Sequence, residues 1–188
     1  MEKLFKIVKD NKKSLRMKST PIEFPYDQKY IDLGKKMVEY LKISQDDELA
    51  EKYNIRSGVG LAAPQIGVNK HLIAIYINHP QGEGKDPIIY EMALINPKIV
   101  SESVQMCALE GGEGCLSVDK EHNGYVYRHN KIVVEAFDII KNENVKFQAS
   151  GYLAIVLQHE IDHLSGVLFY DRINKLAPFK KDEGLIII

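Results

Sequence analysis

Residues 152–164 read Tyr-Leu-Ala-Ile-Val-Leu-Gln-His-Glu-Ile-Asp-His-Leu, the most apolar helical pattern in the chain. Gly151 precedes this run and Gly166 follows it, as residues that break helices commonly do at helix ends. The pattern therefore predicts a central, buried helix against which the remaining elements must pack.

Two histidines on this helix, His159 and His163, are four residues apart. Side chains at that spacing project from one face about 6 Å apart along the axis, so both imidazoles can bind one metal ion. Glu160 follows the first histidine and can reach a water on that ion. The alternative is two half-buried histidines beside a carboxylate, but burying these groups without a cation would cost several kcal/mol.

A third metal ligand is required, because a catalytic zinc-type site uses three protein ligands and leaves the fourth position to water. No histidine follows His163, and the remaining downstream carboxylates are Asp171, Asp182 and Glu183. Asp171 is one option, although a turn residue is the simpler interpretation. Cys115 is the better donor, because its glycine-dense segment 111–117 allows close approach of the backbone to a ligand. A buried structural cysteine is the alternative for Cys115.

The rest of the chain predicts short helices and strands around the central helix. The patterns indicate helices at 27–41 and 46–53, strands at 71–78, 91–100, 131–139, 145–149 and 185–188, a loop at 79–86, and irregular structure at 56–67. We therefore expect an α+β fold with antiparallel β-sheets packed around the helix that carries the His-Glu-Ile-Asp-His motif. The length favours one domain covering residues 1–188.

Composition excludes several classes of protein. The chain has 188 residues, 25 basic and 26 acidic, so its net charge of −1 does not favour nucleic acid as a partner. No apolar run approaches the roughly 20 residues that cross a bilayer, and lysines interrupt the N-terminal apolar stretches, which argues against a secretory signal. We expect a cytoplasmic protein in which Cys107 and Cys115 are thiols rather than a disulfide.

Three segments coincide, in order, with the signatures of one enzyme family. They are Gly-Val-Gly-Leu-Ala-Ala-Pro-Gln at 58–65, Glu-Gly-Cys-Leu-Ser at 113–117 and His-Glu-Ile-Asp-His at 159–163. In these segments the chain resembles the peptide deformylases. Long insertions around 77–90 and 104–112, with an extended apolar tail, are similar to the branch of that family common in Gram-positive-type bacteria.

The resemblance implies hydrolysis of the N-formyl group from the initiator methionine of nascent polypeptides, with release of formate. Substrates would be formylmethionyl nascent peptides, met at the ribosome. It further implies one divalent metal ion, Fe²⁺ in the cell, with Ni²⁺, Co²⁺ or Zn²⁺ in preparations. The implied metal ligands are Cys115, His159 and His163, the general acid/base is Glu160, and the groups that stabilise the oxyanion are Gln65 and the backbone N–H of Leu116.

The resemblance also implies a substrate pocket. Tyr152, Ile155 and Val156 share the helix face of His159 and, with Val59, would contact the methionine side chain, although core packing is the alternative for each. The family binds its peptide as an added strand, so main-chain groups of Gly60 and of the loop around Gly112 would hold the peptide. Arg128 is predicted either to contact the peptide or to be an exposed structural arginine.

Two other functions compete with this interpretation. A metallopeptidase would use the same His-Glu-x-x-His motif to cut internal peptide bonds. A structural metal module would need four protein ligands, and no fourth is evident. A dinucleotide fingerprint at Gly58-x-Gly60-x-x-Ala63 is disfavoured because no apolar strand precedes it. Asp162 is predicted either to orient a ligand histidine or to form a surface salt bridge.

Overall fold

The computed structural model describes residues 4–81 and 84–188. Helices in these ranges are α1 (Gln28–Ser44), α2 (Asp47–Tyr53) and α3 (Gly151–Leu164). The strands are β1 (Gly60–Ala62), β2 (Leu72–His79), β3 (Ile88–Glu102), β4 (Met106–Ala108), β5 (Arg128–His129), β6 (Lys131–Asp138), β7 (Glu143–Ser150) and β8 (Ile186–Ile187). Within the described ranges, none of the helices combines the length and apolar character needed to span a membrane.

A five-stranded antiparallel sheet, in the order β1-β2-β3-β6-β7, forms the main layer. Its strand β2 has buried side chains on both faces. Ile73 and Ile75 pack into the cluster that contains α3, while Leu72 and Ala74 pack into the cluster that contains α1. The nearly continuous apolar run of β2 follows from this double burial, since a strand covered on both faces loses the alternation of polar residues.

The second sheet is small, with the order β5-β4-β8. Its last strand confirms the prediction that the tail is extended. β8 runs parallel to β4, with Cys107 opposite Ile186, which departs from the expectation of antiparallel sheets only. A hairpin imposes antiparallel pairing, but β8 reaches β4 after α3 and a long connection, so no turn constrains its direction.

Helix α3 occupies the centre of the molecule and packs against strands of both sheets, as predicted. Its apolar residues Ala154 and Leu157 are fully buried. The amide of Gln158 pairs with the main chain of β5, accepting from the His129 N–H at 3.0 Å and donating to the His129 carbonyl at 2.9 Å. The Gln158 side chain thus makes the two hydrogen bonds with β5 that the main chain of a neighbouring strand would otherwise make.

The N-terminal half also follows its sequence pattern closely. Asp27 caps α1 by accepting from the Lys29 N–H, and Asp46 caps α2 by accepting from the Leu49 N–H, both at 2.9 Å. These carboxylates satisfy N–H groups that have no partner within the helix, which is why Asp at this position predicts a helix start.

One expectation about regular structure was wrong. Residues 56–67 were expected to be irregular, yet they contain β1 and a 3-10 helix, Ala63–Ile66. Glycine commonly breaks regular structure, but a Cβ on Gly60 would collide with the carboxylate of Glu160, so this glycine instead permits a strand to pass close to α3. The predicted loop 79–86 includes Gly82 and Glu83, which lie outside the described residues.

The end of α3 generates a stability prediction. Gly166 adopts φ +73°, and a Cβ there would collide with the backbone of Arg16. Gly166→Ala should lower the free energy of unfolding by at least about 1–3 kcal/mol, the usual cost of left-handed backbone in a residue with a side chain. Urea unfolding of the metal-loaded protein measures this. Gly111→Ala, with open space around its Cβ, should stay within about 0.5 kcal/mol; equal losses would contradict the prediction.

Candidate metal centre

Three predicted ligands converge at one point. Helix α3 presents His159 and His163 from one face, and the loop that precedes β5 brings Cys115 to them. The donor atoms of the three residues all lie within 4.8 Å of one another, and Cys115 Sγ is 3.4 Å from His163 Nε2. All three residues are buried. This is the spacing that donor atoms around a single ion adopt, and the ligands come from two distant parts of the chain.

Glu160 is buried beside these ligands, 4% exposed. Among the described residues its Oε2 has no hydrogen-bond partner. Burial raises the pKa of this carboxyl to about 7, with the charge on His159 opposing the shift. A carboxyl with a pKa close to neutral can both accept and return a proton at physiological pH.

Gln65 is buried in the 3-10 helix that follows β1. Its Oε1 accepts from the Ala62 N–H at 2.8 Å, and this bond turns the amide nitrogen toward the centre. Nε2 lies 3.4 Å from Cys115 Sγ and 3.2 Å from Ser117 Oγ. Ser117 lies within the second signature, but nothing in the sequence pattern indicated that it would contact this amide.

Leu116 follows the cysteine and is buried, 7% exposed. Within residues 4–81 and 84–188 its backbone N–H donates to no protein acceptor, whereas the carbonyl groups on both sides of it are hydrogen-bonded. An N–H that the fold leaves free beside three converging ligands is available to a bound molecule.

Glu113 is the principal site residue that sequence reasoning missed. Its carboxylate contacts His159 Nδ1 at 2.8 Å and receives two hydrogen bonds, at 2.8 and 2.9 Å, from Arg128. Burial alone would raise the pKa of Glu113, but the bonds from Arg128 and His159 outweigh it and lower that pKa to about 2. Glu113 is therefore ionised and orients the His159 ring with Nε2 toward the centre.

The two histidines have opposite pKa shifts. Burial opposes the charge on His159, but hydrogen bonds to Cys115 and Glu113 outweigh it and raise the pKa of His159. Burial, reinforced by the charge of His159, lowers the pKa of His163. A neutral His163 is ready to bind a metal, and the carboxylate behind His159 makes that ring a more basic ligand.

The prediction for Arg128 requires correction. The residue is 1% exposed, and its guanidinium is held by Glu113 and, at 2.5 Å, by Asp162. Arg128 is therefore buried rather than exposed, and its guanidinium is occupied by two carboxylates. Its position in β5 gave no periodic signal for burial, because the strand is two residues long.

Two carboxylates have structural partners rather than metal-site roles. Asp162 pairs with Arg128 and with Arg172, whose nitrogens lie 2.6 Å from its oxygens, so the salt-bridge alternative for Asp162 is confirmed. Asp171 accepts from the Leu168 N–H at 2.9 Å and pairs with Arg16, as a turn residue would. Both cysteines are free thiols, and burial raises the pKa of Cys107 to about 11.

A cavity opens onto two of the ligands, Cys115 and His159, and onto Glu160. Predicted substrate residues that line it are Val59, Gly60, Tyr152, Ile155 and Val156. Leu109, from the loop before the cysteine, also lines it and was missed. Gly112 is not among the lining residues, and its N–H is donated to the Leu109 carbonyl at 3.1 Å. The loop around Gly112 thus reaches the cavity through its neighbours.

The residues present fit a divalent metal ion. One thiol and two imidazoles form a three-donor set of the kind that binds zinc-like ions and leaves a coordination position open. The buried Glu160 oxygen has no partner among the described residues, so it is free to bond a water on such an ion. An α+β scaffold with three such donors, a buried carboxyl and an adjoining cavity defines a metal-dependent hydrolase.

Comparisons with known proteins identify the kind of hydrolase. The family model described as polypeptide deformylase matches residues 4–179. Peptide deformylase of Limosilactobacillus fermentum is 50% identical over 182 residues, covering 96% of this chain and 95% of that protein. The enzyme of Pediococcus pentosaceus is 47% identical over 188 residues and covers 100% of both chains.

Solved structures agree with the sequence comparison. An Acinetobacter baumannii peptide deformylase with Met-Ala-Ser bound has a TM-score of 0.70 at 30% identity, covering 92% of this chain and 100% of that one. The Thermotoga maritima enzyme has a TM-score of 0.68 at 29% identity, covering 92% and 99%. The chain belongs to the peptide deformylase family, metal-dependent hydrolases that remove a formyl group. Its relatives in Gram-positive bacteria confirm the predicted branch.

The carboxylate behind His159 generates a prediction about metal affinity. Glu113→Gln removes the charge that makes the imidazole basic, so the protein should bind Zn²⁺ or Co²⁺ about 10- to 100-fold more weakly. Competition with a chromophoric chelator measures the change. Glu121→Gln, which neutralises an exposed carboxylate near the same loop, should leave affinity unchanged. Equal affinities for the Glu113 variant and the wild type would refute the role.

The buried arginine generates a prediction about stability. Arg128→Met leaves Glu113 and Asp162 without their shared buried cation, so the free energy of unfolding should fall by about 3–5 kcal/mol. Arg172→Met removes the partly exposed partner of Asp162 and should cost no more than about 1 kcal/mol. Urea unfolding of both metal-loaded variants measures the two losses in the free energy of unfolding. A higher KM with unchanged stability in Arg128→Met would instead support contact with the peptide.

Proposed function

We propose that this chain removes the N-formyl group from the initiator methionine of nascent polypeptides within a single catalytic domain, releasing formate. The observation that carries the proposal is the convergence of Cys115, His159 and His163 beside the buried carboxyl of Glu160, next to a cavity that apolar side chains line in part. For removal of an N-formyl group, the only part of the substrate that must reach the ligands through that cavity is the small acyl group at its amino terminus.

The metal ligands would be Cys115, His159 and His163. A divalent ion bound there supplies a Lewis acid that polarises a carbonyl oxygen and lowers the pKa of water. Cys115 brings negative charge to the centre, and His159 is oriented by Glu113. A thiolate with two imidazoles favours divalent transition metals over Mg²⁺ or Ca²⁺. Fe²⁺ in the cell is the proposed ion, with Ni²⁺, Co²⁺ or Zn²⁺ able to replace it.

Glu160 would be the general acid/base. It takes a proton from the attacking water and later returns it to the nitrogen that leaves, so that a free methionyl amino group and formate are produced. Its raised pKa of about 7 serves both steps, because the proton is neither bound too tightly to release nor too weakly to accept.

Gln65 and Leu116 would stabilise the oxygen that becomes negatively charged during attack. The Gln65 amide is turned toward the site by its bond to Ala62, and the Leu116 N–H donates to no acceptor in the described ranges. Each donor of this kind typically lowers the activation barrier by about 3–4 kcal/mol. Both are fixed by the fold before substrate binds, so no reorganisation is needed.

The methionine side chain would lie in the cavity against Val59, Tyr152, Ile155 and Val156, of which Ile155 and Val156 are buried. The peptide would extend along β1, the edge strand of the main sheet, by strand addition at Gly60. A relative from Acinetobacter baumannii holds Met-Ala-Ser, a peptide that begins with methionine, and this supports the assignment. Nascent chains would be met at the ribosome in the cytoplasm.

The proposal is tested by measuring formate released from a formyl-Met-Ala-Ser peptide under anaerobic conditions with Fe²⁺. Formate should appear and should stop when a chelator is added. Glu160→Gln should retain metal yet lose about 10²- to 10⁴-fold in kcat, the usual contribution of a general acid/base. Cys115→Ala should lose the metal itself. Glu121→Gln, an exposed carboxylate variant, should match the wild type.

Two outcomes would reject parts of the proposal. If the metal-loaded wild type releases no formate but cuts internal bonds of unformylated peptides, the metallopeptidase alternative replaces deformylation. If Glu160→Gln keeps full activity, deformylation stands and the general acid/base must be sought elsewhere.

A further inference from the structure

Arg56 is a charged residue beside the site to which neither the sequence nor the proposed mechanism assigns a role. It lies between α2 and β1 and reaches across to the loop that carries Cys115. One guanidinium nitrogen, Nη2, donates to the Cys115 carbonyl at 3.1 Å. The other, Nη1, lies 3.2 Å from both the Val118 carbonyl and Asp119 Oδ1.

The bond to Cys115 acts on one particular peptide unit. The Cys115 carbonyl and the Leu116 N–H belong to the same planar trans peptide, so they point in opposite directions. Because Arg56 holds the carbonyl, the direction of the N–H at the opposite end of the same peptide unit is fixed as well. The Val118 N–H also donates to the Cys115 carbonyl at 3.1 Å, which closes a turn around Leu116.

The same bond changes the strength of the N–H as a donor. A cationic donor on a carbonyl polarises the peptide unit, and linked hydrogen bonds of this type strengthen one another. The Leu116 N–H is at the other end of this polarised unit, so it becomes the stronger hydrogen-bond donor. It donates to no acceptor among the described residues.

A simple structural role explains these contacts less well. The Arg56 side chain is 54% exposed and its partner Asp119 is 66% exposed, so the ion pair itself contributes little stability. The two carbonyl contacts, in contrast, are directed at the first and last residues of the turn Cys115–Val118, beside the metal ligands. Their geometry selects an orientation rather than adding to the core.

Lys9 provides a built-in comparison. Its Nζ donates to the Leu116 carbonyl at 3.1 Å and pairs with Asp119 at 2.6 Å. That carbonyl belongs to the next peptide unit, whose N–H is that of Ser117. Lys9 and Arg56 thus bind the same loop and the same carboxylate, but only Arg56 bonds to the peptide unit that contains the Leu116 N–H.

We propose that Arg56 is a positioning residue that orients and polarises the Cys115–Leu116 peptide so that the Leu116 N–H stabilises the oxyanion. This inference rests on the proposed function, because the N–H matters only if negative charge develops on the formyl oxygen. It adds a residue, distant in sequence from the three signatures, on which the rate depends.

The kinetic test compares Arg56→Met with Lys9→Met in the metal-loaded enzyme on a formyl-Met-Ala-Ser peptide. Arg56→Met should lower kcat about tenfold, part of the 100- to 1,000-fold typical of losing a whole oxyanion donor, with KM within about twofold. Arg56→Lys, which keeps one cationic donor, should recover part of the loss. Lys9→Met should keep kcat within about twofold.

A second measurement does not depend on activity. In ¹⁵N-labelled, Zn²⁺-loaded protein, the amide nitrogen of Leu116 reports the hydrogen bond on the Cys115 carbonyl, and that of Ser117 reports the bond on the Leu116 carbonyl. Arg56→Met should shift the Leu116 resonance upfield and leave that of Ser117 nearly unmoved. Lys9→Met should do the reverse.

The outcomes separate the inference from the proposed function. A raised KM with unchanged kcat in Arg56→Met would show contact with the peptide and overturn the inference. Equal losses of kcat in the Arg56→Met and Lys9→Met variants would show general support of the loop and overturn it too. If the wild type releases no formate, the proposed function fails, whereas the resonance shifts still report whether Arg56 holds this peptide unit.

Discussion

Helix α3 carries polar side chains into the most apolar part of the molecule, and the cost of removing them from water governs how the surroundings are built. Gln158 is paired with the main chain of β5, and His159 with Glu113. The charge of Glu113 is in turn balanced by Arg128. His163 remains neutral because burial lowers its pKa, and Glu160 has a raised pKa for the same reason. Each buried group is thus either paired or shifted toward its neutral form.

The pairing extends from the site to the surface through one continuous set of contacts. Glu113 binds Arg128, Arg128 binds Asp162, and Asp162 binds the partly exposed Arg172. On the other side of the ring, Phe169 stacks on His159 with centroids 6.0 Å apart and an interplanar angle of 18°. An imidazole held by a carboxylate at one edge and an aromatic ring on one face has little freedom to turn, so its second nitrogen is fixed for a metal.

Sequence patterns predicted the parts of this arrangement that are local. The two histidines and Glu160 are encoded by helical spacing, and Cys115 by the need for a third donor. Contacts between distant segments leave no periodic pattern in the sequence. Glu113 meets Arg128 and His159 only after β5 pairs with β4 and α3 packs against both strands. Arg128 was misplaced for this reason, since a two-residue strand has no alternation from which burial can be inferred. β1 was missed because its glycine serves close approach rather than a turn.

The loop that supplies Cys115 shows why these distant contacts matter for chemistry. Its glycines allow the backbone to approach a ligand, but the same freedom would leave the cysteine and the Leu116 N–H poorly oriented. The N-terminal segment limits that freedom, because it is hydrogen-bonded both to Gln65 and to the loop of Leu116, the two proposed oxyanion donors. The Val8 N–H donates to the Gln65 carbonyl at 2.7 Å, and the Asp10 N–H donates to the Ser117 carbonyl at 2.9 Å. Residues remote from the signatures thus hold the segments of Gln65 and Leu116 in a fixed relation, as the proposed oxyanion role of these two residues requires.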